Sequence, residues 1–142
     1  WYPQRAGRPR LVEPQARLFG KTQIPQVRQM VAEIEALQRT SSWTTRRASA
    51  ARSAGRVPGP EGSVAKLNMS VTAQRSSAAH STILGATGML SGNSVSPHEL
   101  LAEVLVSTPA QSIAGGTDEI QKNILAERVL GLPKEPSPPN KE

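Results

Sequence analysis

Apolar positions along this chain recur with the period of an α-helix, and no stretch shows convincing strand alternation. Val27, Met30, Val31, Ile34 and Leu37 follow one another at steps of 3, 1, 3 and 3, which is one stripe of an amphipathic helix. Gln26, Arg28, Glu33 and Glu35 fall largely on its other faces. Pro25 suits the first helical turn, where its missing N–H would be unpaired anyway. The pattern predicts a helix from Pro25 through Trp43 to about Ala54, ended by the breaker Gly55, Pro58, Gly59, Pro60. A second long helix is predicted from Pro60-Glu61, with Val64, Leu67, Val71, Ala78, Ile83 and Leu84 as a looser apolar face. It is dense in small residues, Ser70, Ser76, Ser77, Ala78, Ala79 and Ser81, which permit close helix–helix approach. Gly85, Gly88 and Gly92 loosen or end it.

Ser96-Pro97-His98-Glu99 reads as a helix start with Ser96 as N-cap, followed by Leu100, Leu101, Val104 and Leu105. Ser107 to Gly116 reads as a loop containing Pro109. A last helix follows, capped by Thr117 or Asp118, with Asp118 and Gln121 at capping-box spacing. Its apolar face is Ile120, Ile124, Leu125, Val129 and Leu130, and Gly131 with Pro133 stops it. Residues 1–22 read as an irregular basic arm, or the remnant of something that continues upstream, because the stretch has no helical or strand period. Residues 23–132 form the helical domain, and 133–142 a Pro-rich tail expected to be disordered. The fold expected is all-α.

Composition narrows the chemistry. A length of 142 residues suits one domain of ordinary size. The absence of Cys excludes a disulfide scaffold, a thiolate metal site and a Cys nucleophile. His80 and His98 lie too far apart in sequence to suggest a zinc site, and no metal site is expected. No apolar run approaches the ~20 residues of a membrane span, and no signal-like start is visible, so a cytoplasmic protein is expected. Charge is uneven: residues 1–56 hold 11 Lys and Arg against 3 Asp and Glu, whereas the remainder is slightly acidic. A basic half suggests either an anion-binding surface or a solvated Arg-rich helix face. Aromatics amount to 3%, which weighs against base stacking, and no nucleic-acid partner is expected.

Enzymatic groups are scarce. There is no GxSxG elbow and no P-loop. His80 and His98 read as structural or exposed residues, and Glu33 and Glu35, two apart, face different sides of a helix. The run Gly115-Gly116-Thr117-Asp118-Glu119 stands out. Its glycines let backbone approach a ligand, and the following helix offers free N–H groups and a positive dipole end. A phosphate or a polar cofactor edge would suit it, and so would an ordinary loop before a capped helix.

At this run the chain resembles a known family. Ser112-Ile-Ala-Gly-Gly-Thr-Asp-Glu-Ile-Gln-Lys-Asn-Ile-Leu-Ala-Glu-Arg-Val-Leu-Gly-Leu-Pro133 is similar to the C-terminal signature of acyl-CoA dehydrogenases. Gly59-Pro60-Glu61-Gly62-Ser63-Val64-Ala65-Lys66-Leu67 resembles the start of a bundle helix in that family. Ala16-Arg17-Leu18-Phe19-Gly20-Lys21, then Pro25-Gln26-Val27-Arg28-Gln29, resembles the preceding helix entry. All three occur in the family's order.

The resemblance implies an antiparallel up-and-down helical bundle, the C-terminal part of an enzyme whose N-terminal helical and middle β domains have no counterpart here. It implies FAD as cofactor, acyl-CoA as substrate of the complete enzyme, oxidation of a Cα–Cβ bond, and homo- or hetero-oligomers built through bundle helices. It makes Gly116, Thr117, Asp118 and Glu119 cofactor-contacting candidates. No catalytic residue is carried over. Many members place the catalytic glutamate immediately before the Gly-Thr, where this chain has Gly115, and glycine cannot act as a base. Some relatives carry the glutamate on an earlier bundle helix, and others pair two chains of which only one brings it. Leu84-Gly85-Ala86-Thr87-Gly88-Met89 departs from the family's Gly-Gly-x-Gly-Tyr, and Arg17-Leu18-Phe19-Gly20 shortens its Arg-x-x-Phe-Gly. The chain is therefore expected to be inactive alone. The alternative is a non-catalytic bundle module that pairs with a flavoprotein subunit.

Overall fold

The computed structural model describes residues 7–57, 59–89, 97–134 and 136. Five α-helices carry the fold: α1 (Val12–Leu18), α2 (Pro25–Ser53), α3 (Glu61–Leu84), α4 (Pro97–Ser107) and α5 (Asp118–Arg128). The described residues contain no strand, and none of their helices is long and apolar enough to cross a membrane.

α2 starts at Pro25 after an extended Ile24, as the missing proline N–H allows. It ends in a Schellman motif: Gly55 takes φ +69°, its N–H reaches Arg52 O, and Arg56 N–H reaches Ala51 O. Val27 and Ile34 are buried, with Met30 and Val31 packed beside them, as the apolar stripe predicts. The stripe stops there. From Thr40 onward α2 buries no residue, and Thr40, Thr44 and Thr45 return their hydroxyls to carbonyls one turn back.

α2 and α3 form an antiparallel pair. Arg47 faces Glu61, Thr40 accepts from Asn68, and Glu33 faces Arg75, each contact two helical turns from the last. α1, α2, α4 and α5 all pack on α3, which makes it the central helix. Its buried residues are Ser63, Ser70, Thr72, Ala73, Ser76, Ser77, Ala79, His80, Ile83 and Leu84. Of the six apolar residues expected to form its packed face, Val64, Val71 and Ala78 are exposed, Leu67 is half-buried, and only Ile83 and Leu84 are buried. The small polar residues are the packed ones, because their hydroxyls find partners inside: Ser76 donates to Thr72 O and Ser70 to Gln111 O. Small side chains also let backbone come close. A Cβ on Gly7, which sits at φ +70°, would lie 2.5 Å from Ala73 Cα.

Two stretches differ from the sequence reading. Within the supposed irregular arm, a 3-10 turn at Pro9–Leu11 leads into α1, which buries Val12, Gln15 and Ala16. Pro14 is tolerated there because it lies in the first turn. A seven-residue helix shows only one i,i+4 apolar pair, too little for periodicity to register. The expected loop after Ser107 contains a 3-10 turn, Thr108–Ser112, with Thr108 and Gln111 buried. The proposed N-cap Ser96 and the tail beyond Pro136 lie outside the described residues.

The main core joins Val12 and Ala16 of α1, Val27 and Ile34 of α2, and Ala79 and Ile83 of α3, with Phe19 against them. Leu101 and Val104 of α4 are buried as well. His80 is fully buried. Its Nε2 lies 3.2 Å from Arg8 O and its Nδ1 2.5 Å from the Gln15 side-chain amide, tying the N-terminal segment to α3.

Candidate functional site

α5 begins where the chain turns out of the 3-10 segment through two left-handed glycines, Gly115 at φ +72° and Gly116 at φ +92°. Such angles strain any residue with a Cβ, so this sequence of turns needs glycine. Thr117 is the N-cap in extended conformation, and its Oγ1 accepts from Ile120 N–H. Thr117, not Asp118, caps the helix. Gln121 sends its side chain back to donate to Gly115 O at 3.3 Å. The first-turn N–H groups other than that of Ile120 have no partner within the helix, and Glu119 is exposed beside them.

Asp118 behaves differently from its neighbours. Lys66 Nζ donates to Asp118 Oδ1 at 2.6 Å, with the lysine side chain 10% and the aspartate side chain 15% exposed. Burial pushes the Asp118 carboxyl up, but hydrogen bonds from Lys66 and Ser70, the Lys66 charge and a hydrogen bond from Ser112 together hold it below the ordinary value. This carboxylate is ionised and engaged inside the fold. Of the four residues nominated from sequence, Gly116 and Thr117 offer backbone and hydroxyl, Glu119 offers a free-standing carboxylate, and Asp118 faces the α3 helix.

Sequence reading missed Lys66, Ser70 and Gln74 as neighbours of this run. They stand four residues apart on α3 and reach Asp118, Gln111 O and Ser112 Oγ in turn. Their spacing is visible as a polar stripe, but a partner 52 residues away is not. A cleft of about 500 Å³ lies alongside, lined by Gly59, Gly62, Lys66, Gly115, Gln121 and Arg128 among others.

The positions that depart from the family pattern, and the two histidines, sit elsewhere. Arg17 pairs with Glu13 on its own helix, both exposed. The Gly85–Met89 turn caps the far end of α3, with Gly88 pressed on Leu84. It is separated from Lys66 by 19 residues of α3, about 28 Å at helical rise, so the two glycine runs do not form one compact site in a single chain. His80 is an anchor of the core, and the His98 side chain lies outside the described ones.

Residues 15–130 match the family described as acyl-CoA dehydrogenase, C-terminal domain. The chain belongs to the acyl-CoA dehydrogenase family. A 28-residue stretch is 68% identical to the acyl-CoA dehydrogenase IpdE1 of Mycobacterium tuberculosis, covering 20% of this chain and 7% of that protein. The solved structure of the Tcur3481-Tcur3483 steroid ACAD superposes with a TM-score of 0.75 at 21% identity, over 89% of this chain and 34% of that one. The chain therefore spans about a third of the length of the solved relative. An all-α bundle of this acyl-CoA dehydrogenase type is the fold found.

Proposed function

We propose that this chain is the C-terminal part of an FAD-dependent acyl-CoA dehydrogenase that oxidises the Cα–Cβ bond of an acyl-CoA thioester, and that the isolated chain does not turn over. The observation that carries this reading is the α5 N-terminus. It presents positive-φ glycines, a capped first turn and a Thr hydroxyl at the surface, where a polar cofactor edge can approach backbone directly. There is room for a cofactor edge beside Gly115, where a Cβ would meet nothing within 4 Å, whereas the flexible Gln121 side chain lies over Gly116. Gly116, Thr117 and Glu119 would hold the cofactor edge, with Asp118 bracing the helix from behind. Bound flavin supplies the acceptor for hydride leaving the β-carbon. The α-proton needs a base, and this run supplies none: Gly115 has no side chain and the Asp118 carboxylate is taken by Lys66.

About 28 Å of α3 lies between Lys66, beside the α5 N-terminus, and the Gly85 turn, so a cofactor that used both glycine runs would draw them from different subunits. A steroid-derived acyl thioester is the substrate class to assay first, because the matched structure is of a steroid ACAD.

The test is flavin absorbance and acyl-CoA oxidation with an artificial electron acceptor, on the purified 142-residue chain and on the chain co-expressed with a candidate flavoprotein subunit. Flavin and turnover are expected only in the assembly. Turnover by the chain alone would sink the reading.

A second reading is a non-catalytic bundle module that pairs with a flavoprotein subunit. It draws on α5, which buries no residue fully, and on the exposure of Ile120 in it and of Val129 and Leu130 just after it, although sequence placed them on a packed face. An assembly whose activity is unchanged by Thr117 and Gly116 substitutions would favour it.

A further inference from the structure

We infer that Lys66 is the positioning residue of the α5 N-terminus: by pairing with Asp118 across the α3–α5 contact it sets where Gly115 to Ile120 present their backbone. The inference deepens the cofactor reading above and rests on it for its functional consequence.

Helices in small domains are ordinarily held by an apolar face. The apolar face of α5 is weak: no residue is fully buried, and Ile124 and Leu125 are only half-buried. What fixes its start is polar. Lys66, Ser70 and Gln74, each one turn further along α3, reach Asp118 at 2.6 Å, Gln111 O at 3.1 Å and Ser112 Oγ at 2.6 Å. Ser70 and Gln74 hold the 3-10 turn before the glycines. Lys66 is the contact beyond them, on α5 itself, and it also donates to Ser70 Oγ at 3.2 Å. Gly115 and Gly116 are thus strung between two fixed points, Ser112 and Asp118.

Both partners of the ion pair are largely out of water, so loss of either leaves an uncompensated charge. Lys66 also neutralises Asp118. Without it a second uncompensated carboxylate, beside the exposed Glu119, would stand in the first turn of α5, where an anionic ligand has to approach.

The experiment is peptide-resolved hydrogen exchange on the full 142-residue chain, comparing wild type with Lys66→Met, Asp118→Asn, the double variant and Lys66→Arg, with the FAD affinity of each measured by fluorescence quenching in the co-expressed assembly with the flavoprotein subunit. Either single charge-removing variant is expected to speed exchange in residues 111–124 about tenfold or more, leaving peptides of α1 and α2 at wild-type protection. The double variant is expected to lose no more than the worse single one, and Lys66→Arg to restore much of the protection. Unchanged local exchange in both single variants overturns the inference. So does exchange that rises equally across α1, α2 and α5, which marks a general fold contribution. The FAD readout separates the two levels. Local loosening with the FAD affinity of the assembly unchanged in every variant leaves the clamp standing and counts against the cofactor reading. Local loosening with FAD affinity reduced in Lys66→Met and partly regained in the double variant supports both.

Discussion

His80 on α3 and Gln15 on α1 meet inside the protein, imidazole Nδ1 2.5 Å from the Gln15 side-chain oxygen Oε1. On the other side of the ring Nε2 faces the Arg8 carbonyl, which can only accept. Gln15 Oε1 can likewise only accept, so the neutral ring, with its single N–H, donates to one of the two oxygens. Two N-terminal elements are tied to the central helix through one side chain that has no exposure.

This pair predicts a pH dependence of stability. Burial lowers the His80 pKa below its ordinary 6.5, with the Arg8 and Gly7 carbonyls pulling partly the other way. The unfolded chain thus binds a proton more readily than the folded one. Stability from this site is complete above about pH 6.5 and is lost as pH falls below it toward the folded value. Thermal unfolding between pH 8 and pH 5 should show a declining melting temperature. His80→Gln should flatten that slope while costing about 1–3 kcal/mol at pH 8. An equal slope in the variant would assign the pH dependence to another group.

Asp118 gives a second window at lower pH. Its folded pKa lies below the ordinary carboxylate value, so its contribution is present above about pH 4 and is lost as pH falls through the folded pKa. Asp118→Asn keeps the shape but leaves Lys66 unpaired. The expected cost is about 2–3 kcal/mol at pH 7, below the fully buried range because both side chains keep some solvent contact. Chemical denaturation at pH 7 and pH 3 should show the difference between variant and wild type shrinking at the lower pH.

Gly7 and Gly55 separate backbone strain from crowding. Both take φ near +70°. A Cβ at Gly55 meets nothing within 4 Å, so Gly55→Ala should cost about 1–2 kcal/mol from the left-handed conformation alone. At Gly7 the same methyl would press on the Ala73 backbone, and Gly7→Ala should cost more, by about 1–3 kcal/mol of overpacking. Denaturation midpoints of the two variants check this ordering.

Thr117→Ala removes the side chain that caps α5 and should destabilise by about 1 kcal/mol, with Thr117→Ser close to wild type. If Thr117 also contacts the cofactor, flavin retention in the assembled enzyme should fall further than this stability loss accounts for, which a parallel measurement of melting temperature and flavin content resolves.

Sequence pattern read the long helices well. Pro25, the Val27–Ile34 stripe and the Gly55 stop placed α2, and Pro60-Glu61 and Gly85 bracketed α3. These are local signals: a helix start, a period and a left-handed stop each depend on a few neighbouring residues. The Gly-Gly-Thr run was legible for the same reason. It is one contiguous segment, and together with the flanking signature it also pointed to the family.

Tertiary structure decided which faces are buried and what each site residue is free to do. The serine-rich face of α3 lies inside while Val64 and Val71 stay at the surface, because a central helix ringed by four others is packed by closeness of backbone more than by size of side chain. Asp118 and Glu119 are neighbours of the same charge in sequence. In the fold one is bound to a lysine 52 residues away and the other is exposed. Sequence by itself determined the long helices α2 and α3 and the start of α5, and singled out the candidate run; the availability of its charges was decided by a long-range ion pair, whose strength depends on burial that no local pattern encodes.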